Sequence, residues 1–225
     1  CEHPIFADKA HFYLAECQYQ ANNLNSALEN YSFNVKTKNP LFYSVSLKKS
    51  AELSYKLAKY EEALSYFQTL KSSTLTKDEL AEIQWWILKS ATKTKNNGIV
   101  ISESLNLLSD EFVDAKRDAE IHFLLANAYR NTHDTANALV NYRIVANTTQ
   151  EEKSAASLYN IALINFEQQK LDSSEKVIFE IANHTPTYPD WLAKGLILLS
   201  DIYVVQEDYF QARTTLESIV GNYAG

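Results

Sequence analysis

Apolar residues return every three or four positions along almost the whole chain, and short polar breaks divide that rhythm into a dozen stretches. The spacing is that of amphipathic helices, because residues i, i+3, i+4 and i+7 share one helical face. The breaks fall at Ala21-Asn22-Asn23, Ala58-Lys59-Tyr60, Asn96-Asn97-Gly98, 131–134, 168–170 and 206–208. Breaks this short turn the chain back on itself, so the pattern predicts six antiparallel helix pairs. The first pair is expected over 10–20 and 24–35, the second over 41–57 and 61–70, and the third over 78–94 and 99–108. The last three occupy 118–146, 152–182 and 190–220. Thr76 and Glu79 make a capping-box sequence ahead of the third pair, and Asn39-Pro40 offers an N-cap and first helical position for the second.

A small residue marks the first helix of each pair, and another follows twelve positions later. The first set is Ala15, Ala51, Ser90, Ala126, Ala162 and Ser200; the second is Ala27, Ala63, Ser102, Ala138, Ser174 and Ala212. Members of the second set lie 36, 39, 36, 36 and 38 residues apart, the period of a stacked helix-turn-helix array. Only 47 of 225 residues are Ala, Ser or Gly, so composition alone does not produce the pattern. Tiny side chains let the two backbones of a pair approach closely. Larger residues then fill the layers around that contact, Leu14, Leu125, Ile161 and Leu199 on first helices and Tyr31, Phe67, Tyr142, Ile178 and Leu216 on second helices. The third pair breaks the series: Asn106 falls at the matching offset between Leu105 and Leu107, and Lys89 replaces an aliphatic residue, which reads as a slip of one residue. No pair can bury these faces alone, so each must be covered by the next. The expected fold is an all-α superhelix, a solenoid of about six helix-turn-helix repeats over 8–40, 41–75, 76–112, 116–149, 152–185 and 190–222, forming one domain over 1–225.

Composition narrows the functional classes. Four Gly and four Pro among 225 residues suit nearly continuous helix, and no apolar run approaches the roughly 18 residues a membrane-spanning helix needs. Membrane insertion is therefore not expected. The chain contains no Met and starts almost directly on a helix, which points to a piece of a longer protein; Cys1 would alternatively be the lipidated residue of a mature lipoprotein. Cys1 and Cys17 make neither a disulfide framework nor a metal spacing, and Cys17 is expected to be a buried thiol. Net charge is −7 and uneven, with 8 Lys+Arg against 7 Asp+Glu over 1–75, 8 against 10 over 76–150, and 5 against 11 over 151–225. An acidic end repels phosphate backbones, so a protein or peptide, basic or neutral, is the expected partner and nucleic acid is not.

The residues of these units resemble tetratricopeptide repeats, a pattern of large, Leu, small, Tyr, small, aromatic and terminal Pro within about 34 residues. The fourth unit fits best, with Leu125-Ala126, Tyr129, Ala138 and Tyr142. The sixth gives Leu199-Ser200, Tyr203, Tyr209, Ala212 and Leu216, and the first gives Leu14-Ala15, Leu24, Ala27, Tyr31 and Pro40. Most units lack the terminal Pro and the period is longer than usual. The stretch 198–219 is similar to the closing repeats of large envelope-associated repeat proteins of bacteria, which points toward a bacterial periplasmic or envelope setting.

The resemblance implies a concave face lined by first helices, here Phe12, Glu16, Tyr19, Lys48, Glu52, Tyr55, Phe123, Asn127, Arg130, Tyr159, Phe166, Asp201 and Val204. Rings with polar neighbours suit docking of a peptide or a partner helix. Phe123 and Phe166 are also candidates for plain packing between neighbouring helices. The family's carboxylate clamp pairs Lys with Asn on successive helices, and this chain never presents the two together. Catalysis finds no footing. His3, His11, His122, His133 and His184 are scattered, with His11 and His122 at an offset where an imidazole packs with one nitrogen bonded. No Gly-rich phosphate loop, nucleophile elbow or Cys-x-x-Cys occurs, and the pairs Glu61-Glu62, Asp110-Glu111 and Glu151-Glu152 favour helix starts electrostatically. Neither cofactor nor metal is expected. The leading expectation is a non-enzymatic interaction scaffold. The alternatives are an assembly element acting through its ends, where Leu216, Ile219, Val220 and Tyr223 lack a covering helix and invite self-association, or the regulatory arm of an enzyme outside this sequence.

Overall fold

The computed structural model describes residues 4–73, 75–109 and 115–222, so Cys1, His3, the Asp110-Glu111 pair and Tyr223 lie outside the described residues. Twelve α-helices and no strands occur among the described residues. They are α1 (Pro4–Gln20), α2 (Leu24–Thr37), α3 (Tyr43–Lys56), α4 (Tyr60–Lys71), α5 (Lys77–Lys93) and α6 (Asn97–Leu108), then α7 (Ala115–Asn131), α8 (Thr135–Thr148), α9 (Glu152–Glu167), α10 (Leu171–Ala182), α11 (Pro189–Val205) and α12 (Tyr209–Asn222). The expected all-α helical-repeat class is the one observed. Helix α3 starts at Tyr43, so Pro40 sits in a turn ahead of it, where the Leu41 amide donates to Asn39 Oδ1 at 3.0 Å.

One turn is built six times. Each odd-numbered helix ends on a single residue with left-handed backbone: Asn22, Ala58, Lys95, His133, Gln169 and Glu207, with φ between 56° and 62°. The next amide reaches back five residues, as in Asn23 N to Gln18 O at 2.8 Å, Asp134 N to Tyr129 O at 2.9 Å and Asp208 N to Tyr203 O at 2.9 Å. This closure satisfies carbonyls the helix end would otherwise orphan, and the left-handed residue redirects the chain within three positions. Lys38, which caps α2, is the remaining non-Gly residue with positive φ among the described residues. Ahead of α5 the Thr76–Glu79 capping box forms as expected, Glu79 N donating to Thr76 Oγ1 at 3.3 Å and Thr76 N to Glu79 Oε2 at 2.9 Å.

The left-handed residue serves as a common origin. Seven positions before it stand Ala15, Ala51, Leu88, Ala126, Ala162 and Ser200; five after it stand Ala27, Ala63, Val100, Ala138, Ser174 and Ala212, all buried. Inside the fifth pair the two places meet directly, Ser174 Oγ donating to the Ala162 carbonyl at 2.7 Å. The expected third-pair contacts, Ser90 and Ser102, are therefore displaced by two residues, not one. Asn96-Asn97-Gly98 resembles a turn, yet Lys95 takes the left-handed backbone and Gly98 falls in the first turn of α6 without positive φ. Ser102 is exposed, and Ser104 takes the place nine positions after the origin, where Tyr31, Phe67, Tyr142 and Ile178 stand elsewhere. The third pair thus inverts the sizes, with Leu88 and Val100 at the usually small contacts and Ser104 at the usually large one, which keeps side-chain volume roughly constant.

Contacts divide the chain into two compact units, Cys1–Leu107 and Leu108–Gly225. In the first, α2 packs on α1 and α3, and α4 on α3 and α5; Ala15, Ala27, Leu28, Tyr31 and Leu53 form one buried cluster. In the second, α8 packs on α7 and α9, α10 on α9 and α11, and α11 on α12, around a cluster that includes Ala126, Tyr142, Ile161, Ile178 and Leu199. Three expected interior residues are not interior. Cys17 is exposed, Leu14 is 48% exposed and Leu216 is 43% exposed, because no preceding helix covers α1 and no following helix covers α12 among the described residues.

Candidate functional site

The expected surface residues occupy three regular places on the odd-numbered helices, ten, six and three positions before the left-handed residue. In the first unit, the six-before residue Glu16 accepts a hydrogen bond from the Tyr31 hydroxyl. In the second unit Asn127 Oδ1 accepts from the Tyr142 hydroxyl at 2.6 Å. The two residues therefore anchor buried phenols of the neighbouring helix. Burial, reinforced by Glu16, pushes the Tyr31 hydroxyl well above the usual tyrosine range. Burial likewise pushes Tyr142 up to about 12, with Arg130 pulling the other way. At the same two pairs His11 Nδ1 lies 2.6 Å from Asn30 Oδ1 and His122 Nδ1 lies 2.7 Å from Asn141 Oδ1. Each of these Asn amide nitrogens donates to a carbonyl one turn back, so the facing oxygen accepts and the imidazole Nδ1 carries the proton. The bonded packing expected for His11 and His122 is what occurs.

Several rings belong to the packing as well. Phe12 lies edge-on to Tyr31 at 6.1 Å and against Phe42 at 5.1 Å; Phe123 lies edge-on to Tyr142 at 6.1 Å, and Phe166 packs on the second unit's core. Tyr19 is half-buried with Lys49 Nζ 4.8 Å from its ring centre. Tyr55 meets Tyr60 at 5.3 Å and Trp86 at 5.0 Å. Lys48 and Glu52 are exposed, and Lys48 adds to the pull of Thr76 that holds Glu79 below the usual carboxylate range. Arg130 donates to Asn160 Oδ1 and, at 3.2 Å, to Glu167 Oε1, while Asp201 and Val204 face solvent. The two-residue slip hid the equivalent first-unit positions Trp85, Lys89 and Thr92; Lys89 Nζ stands 5.2 Å from the Trp85 ring centre. The adjacent tryptophans were the available signal.

In the second unit three odd-numbered helices create a recess. Phe123 of α7 and Trp191 of α11 flank Ala156 of α9, with Glu151, Glu152 and Lys153 at the edge. Tyr159 extends the aromatic side, its ring 5.7 Å from that of Trp191, and Trp191 Nε1 donates to Glu152 Oε1 at 3.0 Å. Lys194 Nζ lies 3.9 Å from the Trp191 ring centre. Ala156 is small and buried, so its side chain takes up little of the space lined by the two rings. Beside it a polar recess is lined by Asn127, Arg130, Asn131, His133, Thr135 and Glu167. Trp191, Ala156 and Lys153 lie outside the expected set, because the offsets that marked the surface select neither the first turns of α9 and α11 nor the small floor between rings.

Among the described residues no cluster of three His, Cys, Asp or Glu is placed to hold a metal ion, and no helix is long and apolar enough to cross a membrane. No family model matches the chain. No curated protein matches it either. Solved structures do. The C-terminal part of a TPR repeat-containing protein from Cytophaga hutchinsonii is similar with a TM-score of 0.67 at 14% identity, covering 93% of this chain and 78% of that one. A tetratricopeptide repeat protein from Parabacteroides merdae gives 0.63 at 14%, covering 97% and 81%. YrrB, described as a TPR protein with an unusual peptide-binding site, gives 0.57 at 12%, covering 92% and 90%. With six identical reversals, small facing contacts and these likenesses, the chain has the tetratricopeptide-repeat fold.

Proposed function

We propose that the protein is a non-enzymatic interaction scaffold that holds a polypeptide segment on the odd-numbered helices of its second unit. The recess between Phe123 and Trp191 over Ala156 carries this reading. A gap flanked by two rings suits an apolar side chain, and flanking rings bury large area at low entropic cost. The acidic excess over 151–225 favours a segment of neutral or positive charge. The peptide-binding site named for YrrB, a protein of the same fold, adds general support. A bacterial envelope setting belongs to the proposal on the strength of the resemblance at 198–219.

Selection from a random peptide library tests it. Enriched peptides are expected to share an aromatic or aliphatic residue next to a basic or neutral one. Trp191→Ala and Phe123→Ala should each weaken their binding at least about tenfold with helicity unchanged. Absence of enrichment, or binding indifferent to both substitutions, overturns the proposal.

A further inference from the structure

We propose, resting on the reading of the recess as a peptide site, that Glu152 makes it selective for a segment with an arginine or lysine beside the side chain seated between the rings. The edge of the recess carries one carboxylate that is held in place and left uncompensated. Trp191 Nε1 donates to Glu152 Oε1 at 3.0 Å, and among the described residues this carboxylate has no further hydrogen-bond or ion-pair partner. Glu152 is exposed, so a partner from solvent can reach it. Its neighbour differs: Lys153 Nζ stands 3.9 Å from Glu151 Oε2, so a cation already lies beside that acid. An indole N–H orients a carboxylate without neutralising it, whereas an ammonium group supplies the opposite charge as well. Glu152 is therefore positioned and still negative.

The surroundings favour a cation over an anion. Segments 151–153 and 190–194 hold three carboxylates, Glu151, Glu152 and Asp190, against two ammonium groups, Lys153 and Lys194. Lys194 Nζ lies 3.9 Å from the Trp191 ring centre, so the indole that orients Glu152 already draws one ammonium group to its ring. An arginine of the segment can pair with the carboxylate while its alkyl stem runs along a ring. The first unit lacks this chemistry. Counted from the left-handed residue, Glu152, Lys153 and Ala156 correspond there to Leu41, Phe42 and Val45. Phe42 lies 5.1 Å from Phe12, the counterpart of Phe123, and Leu41 is 73% exposed. Apolar side chains thus stand where the second unit has an acid, a base and a small residue, so at this place only the second unit can select by charge.

Peptides selected from the random library on the whole chain supply the probe. One selected sequence is synthesised twice, with arginine or its neutral isostere citrulline beside the apolar anchor, and both are titrated against the wild type and Glu152→Gln. Glutamine keeps an acceptor for the Trp191 indole and removes the charge. The wild type should prefer the arginine peptide about three- to fivefold, the worth of one partly exposed ion pair, and added salt should shrink that preference. Glu152→Gln should erase it by weakening the arginine peptide alone, and Glu152→Lys should favour a glutamate at the same place instead. Equal losses for both peptides would make Glu152 a mere support for Trp191 and overturn the proposal. So would a preference that survives both substitutions, or selected peptides without lysine or arginine beside the anchor; in each case the recess still binds. Peptides indifferent to Trp191→Ala and Phe123→Ala, or no selected peptides at all, overturn the peptide site itself and the charge selection with it.

Discussion

At the scale of single residues, the left-handed turn positions and the buried phenols are the most informative. None of the six turn residues is glycine, although a side chain at positive φ costs roughly 1–2 kcal/mol. Ala58 has no polar group to offset that cost, so Ala58→Gly should raise stability by about 0.5–1 kcal/mol after the added flexibility of the unfolded chain is counted. A shift of the urea midpoint to higher concentration verifies it; a fall refutes it. Tyr31 and Tyr142 are protonated in the folded state at a pH where the unfolded chain ionises, so their stabilisation is complete below about pH 10 and declines as pH rises toward the folded values. For Tyr142 the decline runs from the ordinary 10.0 to about 12, at no more than about 1.4 kcal/mol per pH unit. Tyr142→Phe should flatten the loss measured between about pH 9 and about pH 11, and an unchanged slope would count against the assignment.

At the scale of helix pairs, the facing contact sets the tolerance for size. Ala126 and Ala138 are fully buried against one another's helices, so Ala126→Leu should overpack that pair and cost about 1–3 kcal/mol, read as a lower denaturation midpoint. The third pair, which already holds Leu88 and Val100 at these places, has the small Ser104 at the position that is large in the other pairs. Five pairs were legible in the sequence because Ala or Ser twelve residues apart leaves a strong periodic mark. The third was misread because Asn97-Gly98 carries the residue preferences of a turn while Lys95 carries none, and the backbone followed the register of the flanking helices instead. The candidate surface was legible as three helical offsets. Sequence did not reveal that Glu16 and Asn127 would be engaged by Tyr31 and Tyr142, since those bonds depend on how neighbouring helices face each other.

At the scale of the whole molecule, the fold separates two kinds of surface. The odd-numbered helices of the second unit offer rings beside the small Ala156, and the six reversals each present one exposed side chain. Peptide capture is predicted to depend on Phe123 and Trp191. The repeated reversals add a practical consequence. Asn22, Ala58, Lys95, His133, Gln169 and Glu207 all project into solvent, one per reversal, and their side chains are free of the core. They form a set of graduation marks along the polypeptide. Fluorophores or spin labels attached at successive marks within a unit would act as a molecular ruler, reporting compaction or stretching on ligand capture without disturbing the interior.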